Sequence, residues 1–115
     1  LGNINSKRDW GHASDYVAAM WKMLQQKEAN DYVIGTGKMH SVRDFAKLAF
    51  SHVGLDYKKY IKINKNLLRP AEVDMLKANC KKAKKKLNWK PSVDFKNLVK
   101  QMVDEDIKFV ENSNY

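Results

Sequence analysis

Strand character in this chain is confined to two short runs, Tyr32-Val33-Ile34 and Tyr60-Ile61-Lys62-Ile63, which lie within about 30 residues of each other. An isolated pair of that length is marginal in water, so the runs are better suited to extend a sheet begun elsewhere than to form one. Everything else that is regular has helical period. From Ala13 to about Lys27, Ala13, Val17, Met20 and Leu24 recur at three- and four-residue steps, and Tyr16, Trp21 and Met23 widen the stripe. Ser14 or Asp15 stands where a cap or first-turn acid belongs, and Asn30-Asp31 punctuates the end. Ser41 with Asp44 three residues on forms a capping box for a second helix, whose stripe is Val42, Phe45, Ala46, Ala49 and Val53 and whose stop is Gly54.

Arg69-Pro70 breaks regular structure, because proline withholds an amide and pushes the residue before it out of helix. Asn79 is expected to cap a short helix through Leu87, with Ala83 and Leu87 inward and Asn88 as a left-handed stop. Trp89-Lys90-Pro91 then reads as an extended linker that pins an indole on the core. The last helix opens with Asp94 as cap and a Val93–Leu98 staple, and turns Phe95, Leu98, Val99, Met102, Val103, Ile107 and Val110 inward; Asn112 to Tyr115 is expected to fray. Four helices and two short strands, with no internal repeat and no long linker, describe one α/β layer structure over residues 1–115.

With 115 residues and 43% hydrophobic side chains the chain can bury one core, not two. It begins at Leu1 within ordered-looking sequence, without Met, and is expected to be part of a longer polypeptide. No apolar run approaches the length of a bilayer span and no secretion signal is visible, so a cytoplasmic protein without membrane contact is expected. A lone Cys80 has no internal disulfide partner, and three histidines with one cysteine do not fall into zinc-site spacing.

Charge is the loudest compositional feature: 22 Lys and Arg against 13 Asp and Glu, for +9. Lys81-Lys82-Ala83-Lys84-Lys85-Lys86 could read as a phosphate patch for nucleic acid, but on a short helix those lysines simply fill the outward positions. Lysine without arginine or interleaved aromatics supplies point charge and no base stacking, so a solvated face is the better reading. The three arginines say more. Arg43 falls in a capped first turn and reads as a surface residue, whereas Arg8 and Arg69 sit in irregular chain. A structural ion pair, with Asp9 or Glu72 as partner, is one account of them. Two-oxygen recognition of a phosphate by a planar guanidinium is the other, and two arginines on separate loops could bracket one diphosphate. The residues alone leave both open.

His12, His40 and His52 show no metal or relay spacing and read as capping, packing or surface residues. Gly35-Thr36-Gly37 starts like a dinucleotide loop, but His40 stands where the third glycine belongs, so it reads as a turn. No Tyr is followed four residues later by Lys: the residues at that distance are Met20, Thr36, Ile61 and Asn64.

Taken together, Leu1-Gly2-Asn3, Lys7-Arg8-Asp9-Trp10-Gly11-His12, Asp15-Tyr16-Val17 and Ala19-Met20-Trp21 closely resemble the GDP-mannose 4,6-dehydratases. The resemblance continues in order through Tyr32-Val33-Ile34 with Thr36-Gly37, His40-Ser41-Val42-Arg43, Arg69-Pro70-Ala71-Glu72-Val73-Asp74, and Lys82-Ala83 to Leu87-Asn88-Trp89-Lys90-Pro91. The Arg-Asp before a helix and the Lys-Ala to Trp-x-Pro tail are shared by many extended short-chain dehydrogenase/reductases; the Lys-Arg-Asp-Trp-Gly-His and Arg-Pro-Ala-Glu-Val-Asp strings narrow the match. Asn79 and Asn88 stand where the general tail often carries Asp and Gly, and both keep the cap and left-handed roles.

The resemblance implies the C-terminal substrate-binding portion of an NADP-dependent lyase, with the Rossmann domain, the cofactor and the catalytic Ser or Thr, Tyr, Lys and Glu absent from this chain. It matches Arg8 and Arg69 to diphosphate contacts, Glu72 to the ribose hydroxyls, and Leu1 and Asn3 to the neighbourhood of the base. For the parent enzyme it implies conversion of GDP-mannose to GDP-4-keto-6-deoxy-mannose, a precursor of fucose, and a homo-oligomer. The fragment alone is expected to bind no cofactor or metal, to be inactive, and to expose an apolar face where the Rossmann sheet would lie. The same portion of another nucleotide-sugar epimerase, dehydratase or reductase is the nearest alternative, and a basic nucleic-acid-binding module the further one.

Overall fold

The computed structural model describes residues 1–68 and 79–112. In chain order it contains β1 (Lys7–Arg8), α1 (Ala13–Leu24), β2 (His40–Ser41), α2 (Val42–His52), α3 (Tyr57–Tyr60), a 3-10 turn (Lys65–Leu67), α4 (Lys81–Lys86) and α5 (Phe95–Asn112). The strands β1 and β2 pair antiparallel, Lys7 opposite Ser41 and Arg8 opposite His40. Five helices among the described residues exceed the four expected.

Local signals set several boundaries as expected. The Ser41 hydroxyl accepts from the Asp44 amide at 3.0 Å while the Asp44 carboxylate takes the Ser41 amide at 3.0 Å, which completes the capping box of α2. Gly54 at φ +76° and Asn88 at φ +51° are the left-handed residues that follow α2 and α4. Asp94 caps α5 through the Asn97 amide at 2.8 Å. The histidines take the three roles expected of them: His12 caps, His40 stacks on Phe95 at 3.9 Å, and His52 meets Asp104 at the surface at 2.7 Å.

Other expectations are corrected. Tyr32-Val33-Ile34 is extended but is not a strand, because no described segment pairs with its backbone; Tyr32 and Ile34 pack on the core while Val33 faces out. The run from Tyr60 does not begin a strand either. The Asp56 carboxylate accepts from the Lys58 amide at 3.1 Å and starts α3, which ends at Tyr60. Residues 61–64 then run beside the first residue, with the Leu1 ammonium donating to Lys62 at 3.0 Å and the Asn64 amide to the Leu1 carbonyl at 2.7 Å. That slanted pair of bonds is the pattern of parallel pairing. At α4, Asn79 receives the Lys81 amide at 3.3 Å but the cap position is Cys80, and the helix stops one residue short of Leu87.

The largest correction concerns α1. Its cap is His12, whose Nδ1 accepts from the Ser14 amide at 3.0 Å, and it ends at Leu24. The buried face is not the apolar stripe. Ala19 packs with Ala83, Leu87 and Trp89 in a cluster that Met23, Tyr32 and Ile34 adjoin, and Asp15 is buried beside it. Val17, Met20, Trp21 and Leu24 are 61–81% exposed. These four share one helical face that no described residue covers.

Asp15 is neither cap nor first-turn decoration. Its carbonyl accepts from the Trp89 indole at 2.9 Å, and its carboxylate takes the Ser92 hydroxyl at 2.6 Å and the Ser92 and Val93 amides at 3.0 and 3.1 Å. Burial alone would raise this carboxyl, but the Ser92 and Val93 donors outweigh it and hold it below the usual value, with help from His12. Asp44 is also held low, chiefly by the Ser41 amide. On α5 the expected inward stripe holds for Phe95, Leu98 and Val99; farther along, Met102, Ile107 and Val110 are 39–54% exposed because the helix runs on past α2, against which it packs.

Three outcomes follow from this packing. Asp15→Ala leaves the Ser92 and Val93 donors without their acceptor, and denaturant unfolding is expected to show a loss of about 2–4 kcal/mol. Because Asp15 and Asp44 ionise more readily folded than unfolded, their contribution is complete above about pH 4 and is lost as pH falls through their lowered values, so the wild-type melting temperature should fall more steeply with acid than that of Asp15→Ala. The bare face of α1 predicts concentration-dependent sedimentation that Trp21→Lys reduces; a wild-type monomer at high concentration would contradict it.

Candidate functional site

The expected site residues fall in two groups. Arg8 lies in β1, half-buried, with its Nη1 donating to the Lys7 carbonyl at 2.7 Å and its backbone in register with His40. Leu1, Gly2 and Asn3 lie along residues 62–67. The Asn3 side chain accepts from the Asn5 amide at 3.0 Å, and Leu1 is half-exposed. At Gly2 a Cβ would stand 2.7 Å from the Leu67 carbonyl oxygen, so the backbones meet there only because glycine has no side chain. Arg69 and Glu72 lie outside the described residues.

Much of the Lys-Arg-Asp-Trp-Gly-His string holds this region in shape. One Asp9 carboxylate oxygen receives the Thr36 hydroxyl at 2.6 Å and the Thr36 amide at 2.9 Å, and the other receives the Gly37 amide at 2.8 Å. That binds the end of β1 to the turn leading to β2. The Trp10 indole donates to the His40 carbonyl at 3.0 Å and its ring packs with Phe45 and Phe95, at centroid distances of 5.0 and 6.3 Å. Gly11 leaves room for the Tyr16 hydroxyl, into which a Cβ would run. Burial and the nearby Asp9 and Asp15 carboxylates hold the Tyr16 phenol above its usual value. Of Asp9 and Glu72, the two structural partners the sequence offers Arg8, Asp9 gives its carboxylate to the 36–37 turn and Glu72 lies outside the described residues.

The same bonds bear on a dinucleotide. In a Gly-rich phosphate loop the turn amides face the pyrophosphate. Here the Thr36 and Gly37 amides are given to Asp9, so the Gly35-Thr36-Gly37 turn does not fit NADP. Among the described residues no group of three His, Cys, Asp or Glu side chains could hold a metal, and no helix is long and apolar enough to cross a membrane. The lysines of α4 are outward around buried Ala83. Lys82 is held by Asn30 at 2.6 Å and lies over the Tyr32 ring at 5.1 Å.

Residues 1–102 match the family model described as GDP-mannose 4,6 dehydratase. The chain belongs to that family. It is 51% identical over 111 residues to GDP-mannose 4,6 dehydratase 1 of Arabidopsis thaliana, which covers 96% of this chain and 31% of the relative. With the Homo sapiens GDP-mannose 4,6 dehydratase it shares 44% over 130 residues, covering 98% of this chain and 35% of the relative. The chain thus spans about a third of the length of the curated relatives it matches. A UDP-glucose 4-epimerase from Thermotoga maritima, solved with UDP-glucose, superposes with TM-score 0.83 at 26% identity over 96% of this chain and 34% of its own. A dTDP-glucose 4,6-dehydratase from Bacillus anthracis gives TM-score 0.82 at 21% identity over 96% of this chain and 34% of its own, which establishes a shared fold. The fold is therefore a portion of that of extended short-chain dehydrogenase/reductases.

Gly2→Ala forces the Leu1–Asn3 segment off Leu67 and is expected to cost about 1–3 kcal/mol in denaturant unfolding. The accompanying change in amide spectra should centre on residues 1–5 and 62–67; changes confined to α5 would contradict the contact.

Proposed function

We propose that this chain is the nucleotide-sugar-binding portion of a GDP-mannose 4,6-dehydratase, with residues 1–115 forming its C-terminal substrate domain. In this reading Arg8 and Arg69 hold the diphosphate, Glu72 accepts from the ribose hydroxyls, and Leu1 and Asn3 border the base. The observation that carries it is the close approach of Gly2 to Leu67, which brings the segment assigned to the base against the chain two positions ahead of Arg69. The half-buried Arg8 in a braced strand suits the same role, because a pre-ordered guanidinium loses little freedom on taking up two oxygens.

The activity belongs to the whole enzyme: a soluble, cytoplasmic, homo-oligomeric lyase that converts GDP-mannose to GDP-4-keto-6-deoxy-mannose. NADP, which accepts and returns a hydride there, is assigned together with the groups that move protons to the portion that this chain does not cover. Binding energy from the nucleotide, remote from the reacting carbons, fixes the mannosyl ring in place and so contributes to rate through orientation. The bare stripe of α1 and the unpaired Tyr32–Ile34 segment favour a Rossmann sheet as their neighbour in the complete protein.

Calorimetric titration of the chain with GDP, UDP and an oligonucleotide tests this assignment. GDP is expected to bind most tightly, Arg8→Ala to weaken it roughly 10- to 100-fold, and GDP-mannose to undergo no turnover. Preference for UDP would favour an epimerase-like or reductase-like relative, preference for the oligonucleotide a nucleic-acid module, and turnover by the purified chain would refute the assignment of catalysis elsewhere.

A further inference from the structure

A groove runs between α2, α5 and the loop that leads into β2. Its larger part, of about 540 Å³, is lined by Lys38, His40, Asp44, Lys47, Phe95 and Lys96 among others. A second pocket of about 200 Å³ shares Lys38, His40, Asp94 and Phe95 with it and continues past Thr36 and Pro91. The two meet at the His40–Phe95 stack, whose rings lie 3.9 Å apart and 5° from parallel. Arg8 lines neither.

Three features suit this groove to a small anion. Its rims are fixed, since Asp9 holds the 36–37 turn on one side and Asp15 holds residues 92–93 on the other. Its acids are engaged as caps: Asp44 receives the Ser41 amide and Asp94 the Asn97 amide. Its cations are not engaged, for none of Lys38, Lys47 and Lys96 is paired with a carboxylate among the described residues. Three ammonium groups against two carboxylates leave the groove an excess of positive charge, and the Phe95 and Leu48 walls add apolar surface beside it. The first amides of α2 are already taken, by Ser6, Ile4 and Ser41, so on that side the donors available to a ligand are side chains.

We propose that this groove, which borders the Arg8–His40 pair but is not lined by Arg8, is a second anion site that takes a phosphate-bearing small molecule. The phosphate sits among Lys38, Lys47 and Lys96, and the body of the ligand lies along the His40–Phe95 stack. The site lies on faces of α2 and α5 that do not include the bare stripe of α1.

Titration of the isotope-labelled chain with pyrophosphate, followed by amide and imidazole NMR shifts, tests the proposal. Saturable shifts are expected at His40, Lys47, Phe95 and Lys96. The double variant Lys47→Gln/Lys96→Gln, which replaces two exposed side chains, should bind roughly tenfold more weakly, and Arg8→Ala should leave the affinity read at Lys47 and Lys96 unchanged. Pyrophosphate binding that vanishes in Arg8→Ala, shifts spread without saturation over Lys81–Lys86, or a double variant that binds as tightly as wild type would each overturn it. Failure of the double variant to respond leaves the GDP titration standing, and failure of GDP to bind leaves the groove standing, so the two readings fail separately.

Discussion

The buried carboxylate of Asp15 is the interaction on which the arrangement of helices depends. It sits on the inward side of α1 and reaches 77 and 78 residues along the chain to the backbone of Ser92 and Val93, while its own carbonyl holds the Trp89 indole. A charge placed there would be costly if unpaired, and the three donors that satisfy it are all supplied by one short linker. That linker is what orients Asp94 and the start of α5. The tail of the chain is thus fixed to α1 by an ion with its hydrogen bonds, beside a small apolar cluster of Ala19, Ala83, Leu87 and Trp89.

Asp9 does the same on the opposite side. Its two oxygens close the turn before β2 with three hydrogen bonds, and the four-residue antiparallel ribbon then needs little more to set Arg8 against His40. A ribbon this short has no stability of its own. It exists because a carboxylate, the Trp10 indole on the His40 carbonyl, and the capping box of α2 all bear on the same few residues. The family string around Arg8 is therefore mostly a brace, with one guanidinium that the brace positions.

The groove along His40 and Phe95 is a by-product of these two braces. It lies beside the first turns of α2 and α5, where the ring stack and the lysines line it. Farther along, α5 runs out with Phe109 exposed, and α1 turns a whole apolar stripe to solvent. Among the described residues this leaves a contiguous apolar area bare, the kind of surface that marks an interaction site.

What could be read from the residues in order was whatever is decided within one helical turn: the Ser41–Asp44 box, Asp94 as cap, Gly54 and Asn88 as left-handed stops, and Ala83 with Leu87 as the inward side of α4. In each case donor and acceptor lie a few positions apart, so spacing alone brings them together. The family was legible too, because its motifs are strings. Tertiary structure alone decided which face of α1 is buried. Periodicity finds a stripe but not its partner, and the described chain buries Asp15 and Ala19 while leaving Val17, Met20, Trp21 and Leu24 bare. The same limit explains Tyr32–Ile34, which has strand composition and no neighbour, and Asp9 and Asp15, whose partners lie 27 to 78 residues away. A hydrogen bond across that separation is chosen by the folded path of the backbone, which no local pattern encodes.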